Sequence, residues 1–211
     1  MKKANLWPVG FLTIIITLIM SASLAMSDVT NVALDKSVTL AGGNFFENGW
    51  GGTTVVSPDT VVDGLFLPRS TQWDQGAVWW DSNDGAQRSV MINLLGTFSI
   101  ESFIVQADDN DAYKLYYWNL NSSEWLLAYL VPAIGGWGMQ TRPDPTDNTE
   151  RYLSGAPITT NALKFEGFGG DLLYSVSEIQ AYGTAVPEPT LLILLCSGLL
   201  GLLGFGIRFR R

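Results

Sequence analysis

The 211-residue chain contains no histidine and a single cysteine, Cys196. That removes the imidazole bases and ligands on which Ser-His-Asp triads and most zinc sites depend, together with any internal disulfide or cysteine cluster. What is left is oxygen chemistry: carboxylates, carbonyls and hydroxyls, the groups that hold Ca²⁺ and sugars. Asp63-Gly64 is a tight-turn dipeptide that aims a carboxylate and nearby carbonyls at one point. It reads either as part of a calcium site or as a turn whose Asp caps its own backbone. A second acidic run, Asp108-Asp109-Asn110-Asp111, lacks the glycine and terminal glutamate of an EF-hand. It reads first as an exposed hairpin turn and second as a cation or ligand loop.

Aromatic side chains are the other chemical resource. Residues 26–185 hold seven Trp, seven Tyr and seven Phe. Sugar rings pack their C–H faces on such rings while neighbouring amides, carboxylates and guanidinium groups bind the hydroxyls. Most of these aromatics must fill a core. Trp50, Trp137 and Phe168 instead lie in glycine-rich stretches, where strand packing explains them less well, so each is a candidate ligand contact or a loop anchor. Arg142 follows Trp137 closely, and Arg69, after Pro68, is either a ligand fork or a salt-bridge partner. No pair of carboxylates is singled out as an acid and base, so a non-catalytic protein is expected.

The elements that must position these residues read as short strands. Arg88–Leu94 alternates Val90, Ile92 and Leu94 on one face, and Ser102–Gln106 follows a turn expected at Leu95-Gly96-Thr97. Tyr113–Trp118 and Trp125–Val131 flank a polar turn over residues 119–124. Ala162–Glu166 and Val176–Tyr182 flank Gly167–Asp171. No 12-residue window of the middle has a helical period. The expectation is one all-β sandwich over residues 26–185, with a linker limited to the residues around Gly183–Ala185.

The ends are different material. With Lys2, Lys3, Arg208, Arg210, Arg211 and Glu188 set aside, residues 26–185 keep 7 Lys+Arg against 19 Asp+Glu, an acidic surface unsuited to phosphate backbones, so no nucleic-acid partner is expected. Residues 1–25 have a Lys2-Lys3 start, an apolar run from Phe11 to Met20 and small residues at Ser23 and Ala25, the build of a secretory signal peptide. Residues 190–207 are an uncharged 18-residue stretch of a length that suits one transmembrane helix, and the arginines after it place the C-terminus in the cytoplasm. Pro187-Glu188-Pro189 breaks the chain before it.

Residues 186–211, with Pro187-Glu188-Pro189, one span and the cluster Arg208, Arg210 and Arg211, resemble the PEP-CTERM sorting signal of Gram-negative bacteria. The resemblance implies Sec export, an inner-membrane-anchored precursor, processing by an exosortase, and delivery to the envelope or extracellular matrix alongside exopolysaccharide.

Between the ends, Asn31–Thr39, Val61-Val-Asp-Gly64 with Thr71-Gln-Trp73, Trp79-Trp80 with Val90–Leu94 and Ile100–Val105, Tyr113–Tyr117 and Tyr174–Gly183 stand in the order of the discoidin, or coagulation factor 5/8 type C, domain. That resemblance implies a jelly-roll β-sandwich of the galactose-binding-like kind, with ligand loops at one end. It implies buried positions for Trp73 and one of Trp79 and Trp80. It also implies a structural Ca²⁺ held by Asp63 and Glu178, with Ser70 or Thr71 as further ligands. The chain departs from the family in having no disulfide, no loop histidine and a long glycine-rich loop over residues 42–52. The functional expectation is an exported carbohydrate-binding or adhesion module, the alternative a structural matrix protein that binds protein partners.

Overall fold

The computed structural model describes residues 28–46, 57–187 and 198. Signal segment 1–25, Trp50, Glu188, Pro189, the expected helix over 190–207 (Gly198 apart) and the terminal arginines lie outside the described residues. Among the described residues no helix is long and apolar enough to cross a membrane.

Residues 28–46 and 57–187 form strands, turns and one 3-10 turn. Nine strands are described: β1 Thr30–Asn31, β2 Ser37–Ala41, β3 Val78–Asp81, β4 Ser89–Asp108, β5 Tyr113–Asn119, β6 Glu124–Val131, β7 Met139–Arg142, β8 Tyr152–Gly167 and β9 Leu173–Ala185. A 3-10 turn, Pro58–Val62, packs Val61 and Val62 inward. The sheet path runs β1-β9-β4-β8-β5-β6, with β2 and β7 also on β4, and β3 on β9. Alternation explains the strands: Tyr113 and Leu115 of β5 are buried while Lys114 and Tyr116 face outward, the period of two expected of a half-buried strand.

Strand β4 organises both layers. Its first half pairs with β2 and with the end of β8, its second half with β7 and β9. The turn expected at Leu95–Thr97 is a bulge instead. Leu95 sits at φ 56, Asn93 Oδ1 accepts its N–H at 3.0 Å, and the register against β8 jumps between Asn93 and Phe98. Extra residues on one strand bend it without ending the pairing, so β4 bends between layers where a reversal was expected.

The core is a set of aromatic contacts running through both layers. Tyr113 stacks on Phe165 at 4.9 Å and meets Tyr174 edge-on at 5.7 Å, Tyr174 meets Trp80 at 5.6 Å, and Phe45 covers Trp80 at 5.4 Å. Trp79 points to the other face of β3, where Phe46 stacks on it at 4.5 Å and Trp73 approaches edge-on at 5.2 Å. Both Trp79 and Trp80 are therefore buried and Trp73 only half-buried, because loop aromatics cover the face of β3 expected to be open.

Three further expectations change. Gly183–Ala185 is no linker but the end of β9, paired with Ile100, Ser99 and Phe98. Asp108–Asp111 is no hairpin, since β8 lies between β4 and β5; the run is a crossover with Asp108, Asp109 and Asp111 turned inward. Strand β7 and the first half of β8 have no counterpart among the strands read from the sequence.

Candidate functional site

Pairing brings one group of loops to one end of the molecule. Asp108 of β4 faces Met139 of β7, Tyr113 of β5 faces both Val131 of β6 and Gly167 of β8, and Asp81 of β3 faces Leu173 of β9. The loops over residues 109–112, 132–138 and 168–172 therefore gather there, and the segment over residues 65–73 joins them.

Segment 65–73 is tied on by backbone pairing: Ser70 N–H donates to Met139 O at 2.9 Å and Met139 N–H to Thr71 O at 2.8 Å. The approach requires glycine at 138. It has φ +61, and a Cβ there would lie 2.2 Å from Thr71 O, closer than any side chain tolerates. Gln106 holds the same segment from beneath, its Oε1 accepting from Leu67 N–H at 2.7 Å and its Nε2 donating to Leu67 O at 3.0 Å.

Two expected ligand residues meet through a third that sequence reasoning missed. Arg69 Nε donates to Gln140 Oε1 at 3.0 Å, and Gln140 Nε2 donates to Trp137 O at 3.1 Å. Gln140 is buried, so its amide ties the exposed Arg69 side chain to the main chain of Trp137, a residue that is 64% exposed. An exposed ring and an exposed planar donor fork are groups on which a sugar can stack and be bonded. Nothing in the local sequence marks Gln140, because its role depends on β7 pairing with β4.

Phe168 stands on the neighbouring loop, 48% exposed, with Lys114 Nζ 3.5 Å from its ring centroid and its N–H donated to Ala112 O at 2.7 Å. Arg142 is not at the surface. It is fully buried, and its guanidinium donates to the carbonyls of Ala107 at 2.7 Å, Gln140 at 2.8 Å, Pro132 at 3.1 Å, and of Asp108 and Asp111. Burial pushes its pKa down while nearby tyrosines and aspartates oppose that shift. As a brace under the loops it cannot reach a ligand, which corrects the expectation of a direct contact.

The expected calcium residues divide. Gly64 N–H donates to Glu178 Oε2 at 3.3 Å, placing the Asp63 turn against β9, while Asp63 Oδ1 accepts from Leu65 N–H at 2.8 Å. Glu178 is fully buried and also accepts from Gln180 Nε2 at 3.0 Å. Burial pushes its carboxyl up to about 8; the hydrogen bond from Gln180 opposes the shift and the charge of Asp63 adds to it. Ser70 and Thr71 are engaged elsewhere, with Met139 and with Pro68 O, which takes the Thr71 hydroxyl at 2.7 Å. Among the described residues no three Asp, Glu, Cys or His side chains converge on a metal position. The two carboxyl groups offer oxygen donors, the type a hard cation takes, toward the six to eight it needs.

Residues 185–211 match the PEP-CTERM protein-sorting motif. The tail is a PEP-CTERM sorting signal. It marks the chain for export and targeting to the cell envelope. Strand β9 runs from the loop end at Leu173 to Ala185, Gly183 faces Thr30 of β1, and Val186 N–H donates to Thr97 O at 2.9 Å. The PEP-CTERM tail thus leaves from the end opposite these gathered loops, with Pro187 exposed.

No curated protein matches the sequence. Among solved structures, a fucolectin from the serum of striped bass, Morone saxatilis, is similar at a TM-score of 0.50 and 13% identity, over 77% of this chain and 51% of that one. This chain therefore spans about half of the fucolectin, and the likeness is one of fold alone. Chitosan-binding module 1 from a chitosanase/glucanase of Paenibacillus sp. IK-5 gives 18% identity, 73% and 99% coverage and a TM-score of 0.46. The family 32 carbohydrate-binding module of C. perfringens NanJ, solved with galactose, gives 13%, 74% and 99%, and 0.44.

Proposed function

We propose that this chain is an exported, non-catalytic jelly-roll module that binds polysaccharide in the envelope or matrix through the loop end. The observation that supports it most is Gln140, a buried amide that joins the exposed Arg69 side chain to the main chain of the exposed Trp137. Trp137 and Arg69 are the stacking and hydroxyl-binding groups, and Phe168 flanks them from the next loop. Trp50, on the glycine-rich loop, completes the aromatic set in this reading. The C-terminal segment spans the inner membrane of a Gram-negative cell after Sec export, until an exosortase acts at Pro187-Glu188-Pro189. The tail leaves opposite the loops, so an anchored precursor already presents them away from the membrane. Ca²⁺ is the proposed structural cofactor, with Asp63 and Glu178 as side-chain ligands and Ser70 and Thr71 outside its first contacts.

Affinity electrophoresis of the exported protein through gels containing neutral, acidic or amino polysaccharides tests the reading. Retardation by at least one polymer, lost in Trp137→Ala, is the expected result. Equal mobility in every gel, with and without Ca²⁺, would sink it. A second reading, a structural matrix protein that binds other proteins, is favoured by strand β6. It is at the end of the sheet path and exposes Leu126, Leu127 and Leu130, a poorly protected strand edge. Unretarded protein that pellets with protein fractions of the matrix, and is released by Leu127→Lys, would select that alternative.

A further inference from the structure

The loop between β4 and β5 turns its acids inward, and two of them are left short of donors. Asp108 and Asp111 are 2% and 0% exposed. Asp108 Oδ1 and Asp111 Oδ2 are buried with no hydrogen-bond partner, an uncommon condition for polar atoms in a closed interior. Two nearby donors are committed elsewhere. Arg142 gives its guanidinium to main-chain carbonyls. Asp171 N–H goes to the other oxygen of Asp111 at 3.1 Å; the Tyr113 hydroxyl, which accepts from Ser175 N–H at 3.2 Å, is a partner of neither orphaned oxygen.

The charged and titratable groups facing the pair are Asp109 on the same loop, Asp171 from the β8–β9 loop, Arg142 from β7, and Tyr113 and Tyr174 from β5 and β9. One guanidinium therefore stands among four carboxyl groups, and confined carboxylates do not all stay ionised. The same loop ties down both neighbours. Asp109 O accepts from the N–H groups of Ile134 and Gly135, on the Trp137 loop. Ala112 O accepts from Phe168 N–H, and Gly170 lies so close that a Cβ there would sit 1.8 Å from Asp111 Oδ1.

We propose that Asp108 and Asp111 hold a proton between them at neutral pH, and that this proton keeps the Trp137 and Phe168 loops in place. They are positioning residues for the ligand end, a role that rests on the polysaccharide reading above; the proton itself does not. A carboxyl that keeps its proton carries no charge, so its oxygens cost less to leave buried without donors. Burial, then the neighbouring acids, pushes Asp108 up to about 7 and Asp111 up to about 8. Both lie above the usual carboxylate range, so the folded state holds protons that the unfolded chain has lost, and the stabilisation fades as pH rises toward 8.

The test is a ¹³C NMR titration of aspartate side-chain carboxyls in the full chain from pH 4 to 9, without polysaccharide. The expected result is two carboxyls that titrate above pH 6, one of them absent in Asp111→Asn and the other shifted downward. Every aspartate titrating below pH 5 would overturn the proposal. So would loss of the high-pH titration on adding millimolar Ca²⁺ in the Asp63→Ala background, which would make the pair a metal site. If Asp111→Asn does not fold, Asp108→Asn and the wild-type titration decide the matter alone. Retention on polysaccharide gels should then fall by up to about tenfold per pH unit above pH 8, and less steeply in the Asn variant. Equal pH dependence in both would overturn the positioning role. A protein that no polysaccharide retards fails the ligand reading alone, since the carboxyl titration is still read.

Discussion

Gly64 and Glu178 lie 114 residues apart, and the N–H of the first reaches the carboxylate of the second at 3.3 Å. That bond sets the Asp63 turn on β9 and confines two acids together. Without a cation, the raised Glu178 carboxyl, at about 8, makes the fold lose stability as pH rises from the usual carboxylate range to about 8, after which the loss levels off. A Ca²⁺ bound there would remove that loss and bind more tightly as the proton leaves. Thermal melting at pH 8 should show a higher Tm with Ca²⁺ than with chelator, worth about 2.7 kcal/mol at one hundred times Kd. Asp63→Ala should erase the difference, and an unchanged Tm in the wild type removes the site.

Gln140→Ala separates positioning from contact. It deletes the post between Arg69 and Trp137 while leaving both ligand groups in the chain. Polysaccharide affinity should drop about tenfold, with stability lowered by about 1–3 kcal/mol because the variant leaves buried partners short of a hydrogen bond. Isothermal titration and urea melts on the same protein read both effects. Full affinity in the variant would show that the two side chains bind independently, or do not bind.

Gly138→Ala should be more damaging than a methyl group suggests. The residue has a left-handed backbone and its Cβ would meet Thr71 O at 2.2 Å, so segment 65–73 must move or the fold must carry the strain. A loss of about 2 kcal/mol or more in urea unfolding is expected. Gly135, also left-handed but with open space around it, is the control and should lose less on the same substitution.

Arg142→Met should cost about 3–5 kcal/mol, since it strands several buried carbonyls beneath the loops. Arg142→Lys should recover little of this, because one ammonium cannot span the carbonyls of Pro132, Ala107 and Gln140 that the planar fork reaches together. Chemical denaturation of the two variants settles it. A mildly affected Met variant that loses polysaccharide binding outright would return Arg142 to the ligand.

Alternation, composition and end segments determined much of this protein from the chain alone. Tyr113–Trp118 and Trp125–Val131 are strands because their side chains alternate, and that pattern is local. The basic, apolar tail needed no fold to be read as a sorting signal, since such signals are linear. Lone histidines and cysteine clusters were excluded by counting. The tertiary structure decided where polar residues point. Arg142 and Asp111 have the composition of surface residues, yet both are buried, because β8 separates β4 from β5 and turns the acidic run into a crossover. Leu95–Thr97 looks like a turn, but whether such residues reverse a strand or bulge it depends on the partner strands, here β8 and β9. Gln140 had no signal at all: its bond to Arg69 exists only when segment 65–73 closes over β7. Local pattern fixes which residues can form strands, while the identity of a site depends on long-range pairing that local pattern does not contain.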